Sequence, residues 1–286
     1  MPDINRRVTV AAIQITAEDG AKAAVIDKML SHIDEAGARG ARLCVLPELW
    51  TGLGFSDAHI YREIAEPIPG PLTDLLAQKA RRYSMYIAGS FYEEAAEGRY
   101  FNATPLIGPD GEIIGVYRKT HLFDAQNRTD IPPGIMESEK VSAGDSLDVH
   151  TTTLGPVGLS VCSDLRFPEI FREMTLNGAE LLLCASAFLS PRFDHWEFFL
   201  RARACENQCW VIASGQVGRE PRSGLGFVGR SMIVDPWGVV VACAPDTECV
   251  VSADIDLGYT QTVRERYPLL SQRRPALYPS ISRSTP

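Results

Sequence analysis

GLSVCSDLRFPE, residues 158–169, is an apolar, strand-forming run that stops at a single cysteine, Cys162, and gives way at once to Ser163, Asp164, Arg166, Pro168 and Glu169. Pro168 suits the first turn of a helix, where its missing N–H breaks no hydrogen bond. The stretch therefore reads as strand, sharp junction, helix, with a thiol at the junction. A cysteine so placed meets backbone N–H groups at the start of the helix, which favour its thiolate. The plainer reading is a small buried hydrophobe, the usual fate of a free cysteine.

Outward from that junction, runs rich in Val, Ile and Ala mark strands at 8–15, 43–47, 85–92, 104–107, 113–118, 157–162, 180–185, 210–215, 230–234, 239–243 and 249–254. Helical spacing is clearest over 21–38, where Ile26, Met29, Leu30, Ile33 and Gly37 share a face. A second helix fits 71–82, a third follows Pro168, and a fourth runs from about His195 to Gln208. GPDGE at 108–112 and DPWG at 235–238 have the turn chemistry that joins antiparallel hairpins. Strand and helix alternate early and hairpins follow, which predicts an α/β (α+β) chain of mixed sheets stacked face to face with helices outside. No Pro/Gly/Ser-rich linker divides the chain, so one domain is expected over 1–262, followed by an Arg- and Pro-rich tail at 263–286 packed on the domain or on a partner subunit.

Of the 286 residues 45% are hydrophobic and 22% charged, with a net charge of −8. That balance, with scattered Lys and Arg, argues against a nucleic-acid partner. The start lacks the apolar core of a signal peptide, and no apolar run approaches the roughly 18 residues that span a bilayer. A cytoplasmic protein without a membrane partner is expected. Seven cysteines form no CxxC pair and sit mostly in apolar runs, which disfavours disulfides and zinc. GLGFVG at 224–229 precedes a strand instead of opening a helix, so it does not read as a phosphate loop.

Two further polar residues interrupt apolar segments. Glu48 ends the strand LCVLP before a Gly-containing loop, and Lys119 follows the strand GVYR. Each alone reads equally as a solvated strand end. Together with Cys162, all three stand at or just beyond strand ends, which mixed sheets can bring to one edge. A lysine beside a thiol lowers its pKa and a glutamate can accept its proton, which is the chemistry of a cysteine hydrolase. A Cys/His pair is the competing arrangement, with His121 and His195 as its candidates.

PELW with Glu48, YRKTHLF with Lys119 and VCSDLRFPE with Cys162 resemble, in order and spacing, the three signature blocks of the nitrilase (carbon–nitrogen hydrolase) superfamily. The likeness extends through 195–216 to the hairpin at 230–243. It implies an α-β-β-α sandwich that dimerises into a longer stack, with no cofactor and no metal. Carried onto this chain, it makes Glu48 the general base, Cys162 the nucleophile and Lys119 a fixed cation beside the oxyanion, with the Ser163 N–H as a second oxyanion donor. MESEKVSAGD resembles the region that supplies a second glutamate, with Glu137 the better match and Glu139 the alternative. Phe188 and Trp196 are candidate pocket walls, although aromatics in apolar runs are more often core. Arg166, Arg192 and Arg203 are conceivable anchors for a substrate carboxylate, while Asp164, Arg166 and Glu169 read equally as helix caps.

The block around Cys162 is most similar to the amidase branches, including the ω-amidase type, so hydrolysis of a small linear amide through a thioester is expected. Ser163 stands where a tyrosine is common in the family. An N-carbamoyl amidohydrolase is the next reading and a nitrilase the third. A catalytically silent binding or assembly subunit is the alternative of another class. The expected partners are a small-molecule amide and a second copy of the chain, as a homodimer or higher homo-oligomer.

Overall fold

A computed structural model describes residues 6–54, 59–125 and 135–278. The first half of the chain supplies β1 (Arg7–Gln14), α1 (Lys22–Ala38), β2 (Ala41–Val45), α2 (Ile60–Ile64), α3 (Pro71–Tyr83), β3 (Tyr86–Ala88), β4 (Phe91–Glu94), β5 (Tyr100–Ile107) and β6 (Ile113–Arg118). The second supplies β7 (Val149–His150), β8 (Val157–Val161), α4 (Pro168–Leu176), β9 (Leu181–Ser186), α5 (Phe193–Asn207) and β10 (Trp210–Gly215). After these come β11 (Val217–Arg219), β12 (Gly226–Val228), β13 (Met232–Val234), β14 (Val240–Cys243), β15 (Cys249–Asp256) and α6 (Tyr259–Arg266).

Two large mixed sheets result. The first runs β15-β1-β2-β3-β5-β4, with β6 also paired to β5; the second runs β14-β13-β10-β9-β8-β7. In each, three parallel strands linked by helices (β1-β2-β3 and β8-β9-β10) are flanked by antiparallel neighbours. The halves thus repeat a βαβαβ plan that has no counterpart in the sequence pattern, because packing constrains apolar character and not identity.

The sheets face one another with β1 against β10 and β2 against β9. Alternation along β1 shows how: Val10 and Ala12 enter the core between the sheets, while Ala11 and Ile13 enter the core beneath α1 and α3. The inter-sheet core continues under α4 and α5 through Ile170, Phe171, Met174 and Leu200. Each such side chain contributes about 1.5–3 kcal/mol of burial. The expected α-β-β-α sandwich is the fold. Gly37 lets α1 approach α3, since a Cβ there would lie 2.2 Å from the Tyr83 ring.

Most predicted elements lie within a residue or two of their expected bounds. The single strand expected at 85–92 is split into β3 and β4, which keep one register along β5 across Gly89 and Ser90. α2, β7 and the β11–β12 hairpin were too short to leave a periodic signal. α6 crosses the expected start of the tail and buries Val263 completely; residues 279–286 of that tail lie outside the described residues.

Candidate active site

β2 and β8, each paired in parallel within its own sheet, are followed by Glu48 and Cys162, which line one cavity. Val161 is extended, Cys162 turns left-handed at φ 45°, and a tight 3-10 turn over Cys162–Arg166 leads into α4. A left-handed non-glycine residue costs about 1–3 kcal/mol and persists only where its surroundings hold it. Asp164 does so here. Fully buried, its Oδ2 accepts from the Val161 N–H at 2.8 Å and the Tyr117 hydroxyl at 2.7 Å, while its Oδ1 accepts from the His121 N–H at 3.1 Å. The Ser163 hydroxyl donates to the His121 carbonyl and pins the other side of the turn. His121 Nδ1 lies 3.0 Å from Asp164, and its ring stacks on Phe167. That histidine therefore serves the turn, and His195 is exposed on α5, so the Cys/His pair is not the arrangement formed.

Beside the turn lies a closed charge cluster. Lys119, 2% exposed, donates to Glu48 Oε1 at 2.8 Å and Glu137 Oε2 at 2.7 Å. Asn102 Nδ2 bridges the same two carboxylates, 2.8 Å from Glu48 Oε1 and 2.9 Å from Glu137 Oε1. Backbone groups complete the set: the Ala187 N–H donates to Glu48 Oε2 at 2.8 Å and the Phe123 N–H to Glu137 Oε2 at 2.7 Å. Asn102 is oriented in turn by the Ser90 hydroxyl, which donates to its Oδ1. Buried charge is tolerated only when paired and hydrogen-bonded in this way.

Burial disfavours the Lys119 ammonium, but the carboxylates of Glu137 and Glu48 more than reverse this and hold it well above the ordinary lysine range. Cys162 moves the other way from the thiolate its junction suggested. Burial and the nearby Glu48 carboxylate push its thiol up, outweighing the pull of Lys119 and of the Ser186 hydroxyl. Cys162 is thus held as a neutral thiol with the Glu48 carboxylate nearby. Among the described residues no group of three His, Cys, Asp or Glu could hold a metal ion.

These groups open into a cavity of about 710 Å³ including its mouth. Glu48, Lys119, Glu137, Cys162, Ser163 and Phe188 all line it. Glu139 is exposed, so Glu137 is the glutamate that reaches the site. Trp196 does not line it. Its ring lies fully buried behind Phe188 at 5.5 Å and its Nε1 donates to the Arg230 carbonyl at 2.8 Å, so it is core. Of the three arginines, Arg166 and Arg192 line the cavity, whereas Arg203 is turned away to the Leu165 carbonyl and Glu206. Asn102, Tyr92 and the Ala187 N–H escape sequence reasoning. Asn102 alone left a signal, as a polar residue inside the apolar strand YFNATPLI.

A family model described as "Carbon-nitrogen hydrolase" matches residues 9–265. The "Omega-amidase NIT2-B" of Xenopus laevis is 38% identical over 256 residues, covering 88% of this chain and 90% of that protein. The "Deaminated glutathione amidase" of Bos taurus is 37% identical over 256 residues, covering 87% and 77%. The crystal structure of the C. elegans NitFhit protein superposes with a TM-score of 0.87 at 33% identity, covering 95% of this chain and 66% of that longer one. No described helix is long and apolar enough to cross a membrane.

Proposed function

The chain belongs to the carbon–nitrogen hydrolase family, and from that premise we propose that it is a cysteine amidase acting on small linear amides, with Glu48, Lys119 and Cys162 as its catalytic groups and Glu137 as the residue that positions Lys119. The observation that carries this reading is the buried Lys119 ammonium bonded to both Glu48 and Glu137 on the wall of the cavity that Cys162 enters. Glu48 removes the Cys162 proton as sulfur attacks the amide carbon, and the carbonyl electron pair moves onto oxygen. Lys119 and the Ser163 N–H stabilise that oxyanion, the kind of preorganised donation worth about 10²–10³ in rate per donor. Glu48 returns its proton to the leaving nitrogen, the C–N bond breaks and ammonia departs, leaving a thioester. Water, deprotonated by Glu48, then attacks the thioester; the C–S bond breaks, the acid leaves and the thiol is restored. Glu137 touches no reacting atom in this scheme but holds Lys119 in place and charged.

The cavity suits a small molecule and not a folded chain. Arg166 and Arg192 on its wall favour an amide carrying a distal carboxylate. Ammonia release from dicarboxylic acid monoamides, neutral aliphatic amides, N-carbamoyl amino acids and nitriles tests the assignment. The monoamides are expected to be hydrolysed most efficiently, and preferred release from carbamoyl compounds or nitriles would replace the amidase reading.

The protein acts in the cytoplasm as a homodimer or larger homo-oligomer in this reading. Exposed Phe198, Trp237, Val239, Val241 and Leu277 on the α5 side and the C-terminal segment support self-association, since apolar surface of that kind is normally covered. Sedimentation as a monomer at micromolar concentration would contradict it.

A further inference from the structure

The loop that follows Glu48 begins with a single turn, closed by the Gly52 N–H donating to the Leu49 carbonyl at 3.1 Å, and Leu49, Gly52 and Gly54 all have positive φ. Its far end is held instead by side chains from distant parts of the chain. Asp19 Oδ1 accepts from both the Leu53 N–H, at 2.7 Å, and the Gly54 N–H, at 2.9 Å. The Tyr92 hydroxyl donates to the Leu53 carbonyl at 2.8 Å, and Lys140 Nζ donates to the Gly54 carbonyl at 2.6 Å. The peptide groups of Leu53 and Gly54 are thus gripped at every donor and acceptor. The seat is close: a Cβ at Gly54 would lie 3.2 Å from Tyr61 and Tyr92, and one at Gly52 2.8 Å from Ile64.

Asp19 is wholly buried and takes no part in the charge cluster around Lys119. Its own N–H donates at 3.3 Å to Glu220, another fully buried carboxylate, which also accepts from the Arg222 and Ser223 N–H groups. On its other side Asp19 lies within electrostatic reach of Lys140, whose ammonium burial disfavours. Three of the groups joined through this loop, Leu49, Tyr92 and Lys140, line the cavity. A buried carboxylate is expensive unless it is hydrogen-bonded, and the Leu53 and Gly54 N–H groups supply that bonding here.

We infer that Asp19 is a positioning residue for the active site: its carboxylate locks the Leu53–Gly54 peptide and, through it, the wall formed by Leu49, Tyr92 and Lys140 beside Glu48, fixing where the substrate's far end sits. The inference rests on the amidase reading for its kinetic consequence but not for its structural one. The hydrogen-bonding role is separable from the charge, because asparagine keeps an acceptor oxygen at the Oδ1 position and alanine does not.

Hydrogen exchange on the full chain, followed at Leu53 and Gly54, is compared among wild type, Asp19→Asn and Asp19→Ala, together with kcat and KM on the preferred amide. In Asp19→Ala the two amides should exchange at least tenfold faster while those of β1 and β2 keep their protection. KM should rise about tenfold or more with a smaller change in kcat, and Asp19→Asn should restore both most of the way. Asp19→Ser, whose shorter side chain cannot serve both N–H groups, is read in the same way if the alanine variant does not fold. Unaltered exchange in Asp19→Ala, or an asparagine variant as impaired as the alanine one, overturns the inference. A wild type that releases no ammonia from any amide defeats the amidase reading instead, and the exchange data then decide the lock by themselves.

Discussion

Replacing Lys119 by methionine separates what the buried cation does for the fold from what it does for the reaction. The side chain is 2% exposed, and its loss leaves the carboxylates of Glu48 and Glu137 confined with Asn102 as their one shared side-chain donor. Breaking a buried ion pair by removing one partner costs about 3–5 kcal/mol. For a chain of this length, at about 2–3 °C per kcal/mol, that lowers Tm by roughly 6–15 °C. Turnover should fall by about 10²–10³ or more from the lost oxyanion cation. The triple variant Glu48→Gln, Lys119→Met, Glu137→Gln has no charge left to bury, so its unfolding free energy should return to within about 1–2 kcal/mol of wild type. Its activity should not return. Urea and thermal unfolding read the first effect and ammonia release the second. A Lys119→Met protein as stable as wild type, or a triple variant that regains turnover, would refute the reasoning. The pH dependence has a definite sign: with its folded pKa held above the ordinary lysine range, Lys119 stabilises fully below that range and its contribution is lost as pH rises through the folded value.

Three further outcomes are expected. Because burial and Glu48 raise the Cys162 thiol, the wild-type minus Cys162→Ala difference absorbance near the thiolate band should show no ionisation step between about pH 6 and 8; a step there would restore a resting thiolate. Asp164→Ala removes the side-chain acceptor of the Val161 N–H, at about 1–3 kcal/mol, and one of the partners of the Tyr117 hydroxyl, which keeps Thr120 Oγ1 at 3.0 Å. It should lower kcat at least tenfold with little change in KM and be partly rescued by Asp164→Asn, and an unaltered kcat would show that the left-handed turn holds itself. Trp196→Phe should cost about 1–3 kcal/mol by urea unfolding and leave KM alone, whereas a raised KM would return Trp196 to the pocket wall.

The sandwich and the reactive groups were legible for different reasons. Long strands such as β1 and β9 announce themselves because their apolar residues are continuous enough to outweigh local noise. Glu48, Lys119 and Cys162 stood out as polar breaks at strand ends, and topology then had to bring those ends together. The sequence pattern could not yield the sign of the Cys162 shift, because that depends on how completely the thiol is desolvated and on where Glu48 points. Nor could it separate Phe188 from Trp196, which differ only in which side of the cavity wall each ring occupies. Asn102, the Ala187 N–H and the Asp19 lock are invisible to periodicity, since each depends on a hydrogen bond between segments far apart in the chain.

Intact and peptide mass spectrometry of enzyme quenched in acid during turnover of a dicarboxylic acid monoamide tests the central claim most directly. The account predicts a mass increase equal to the acyl group less one hydrogen, confined to the peptide carrying Cys162 and absent from Cys162→Ala, which releases no ammonia. An acyl group on another residue, or continued ammonia release by Cys162→Ala, would contradict it.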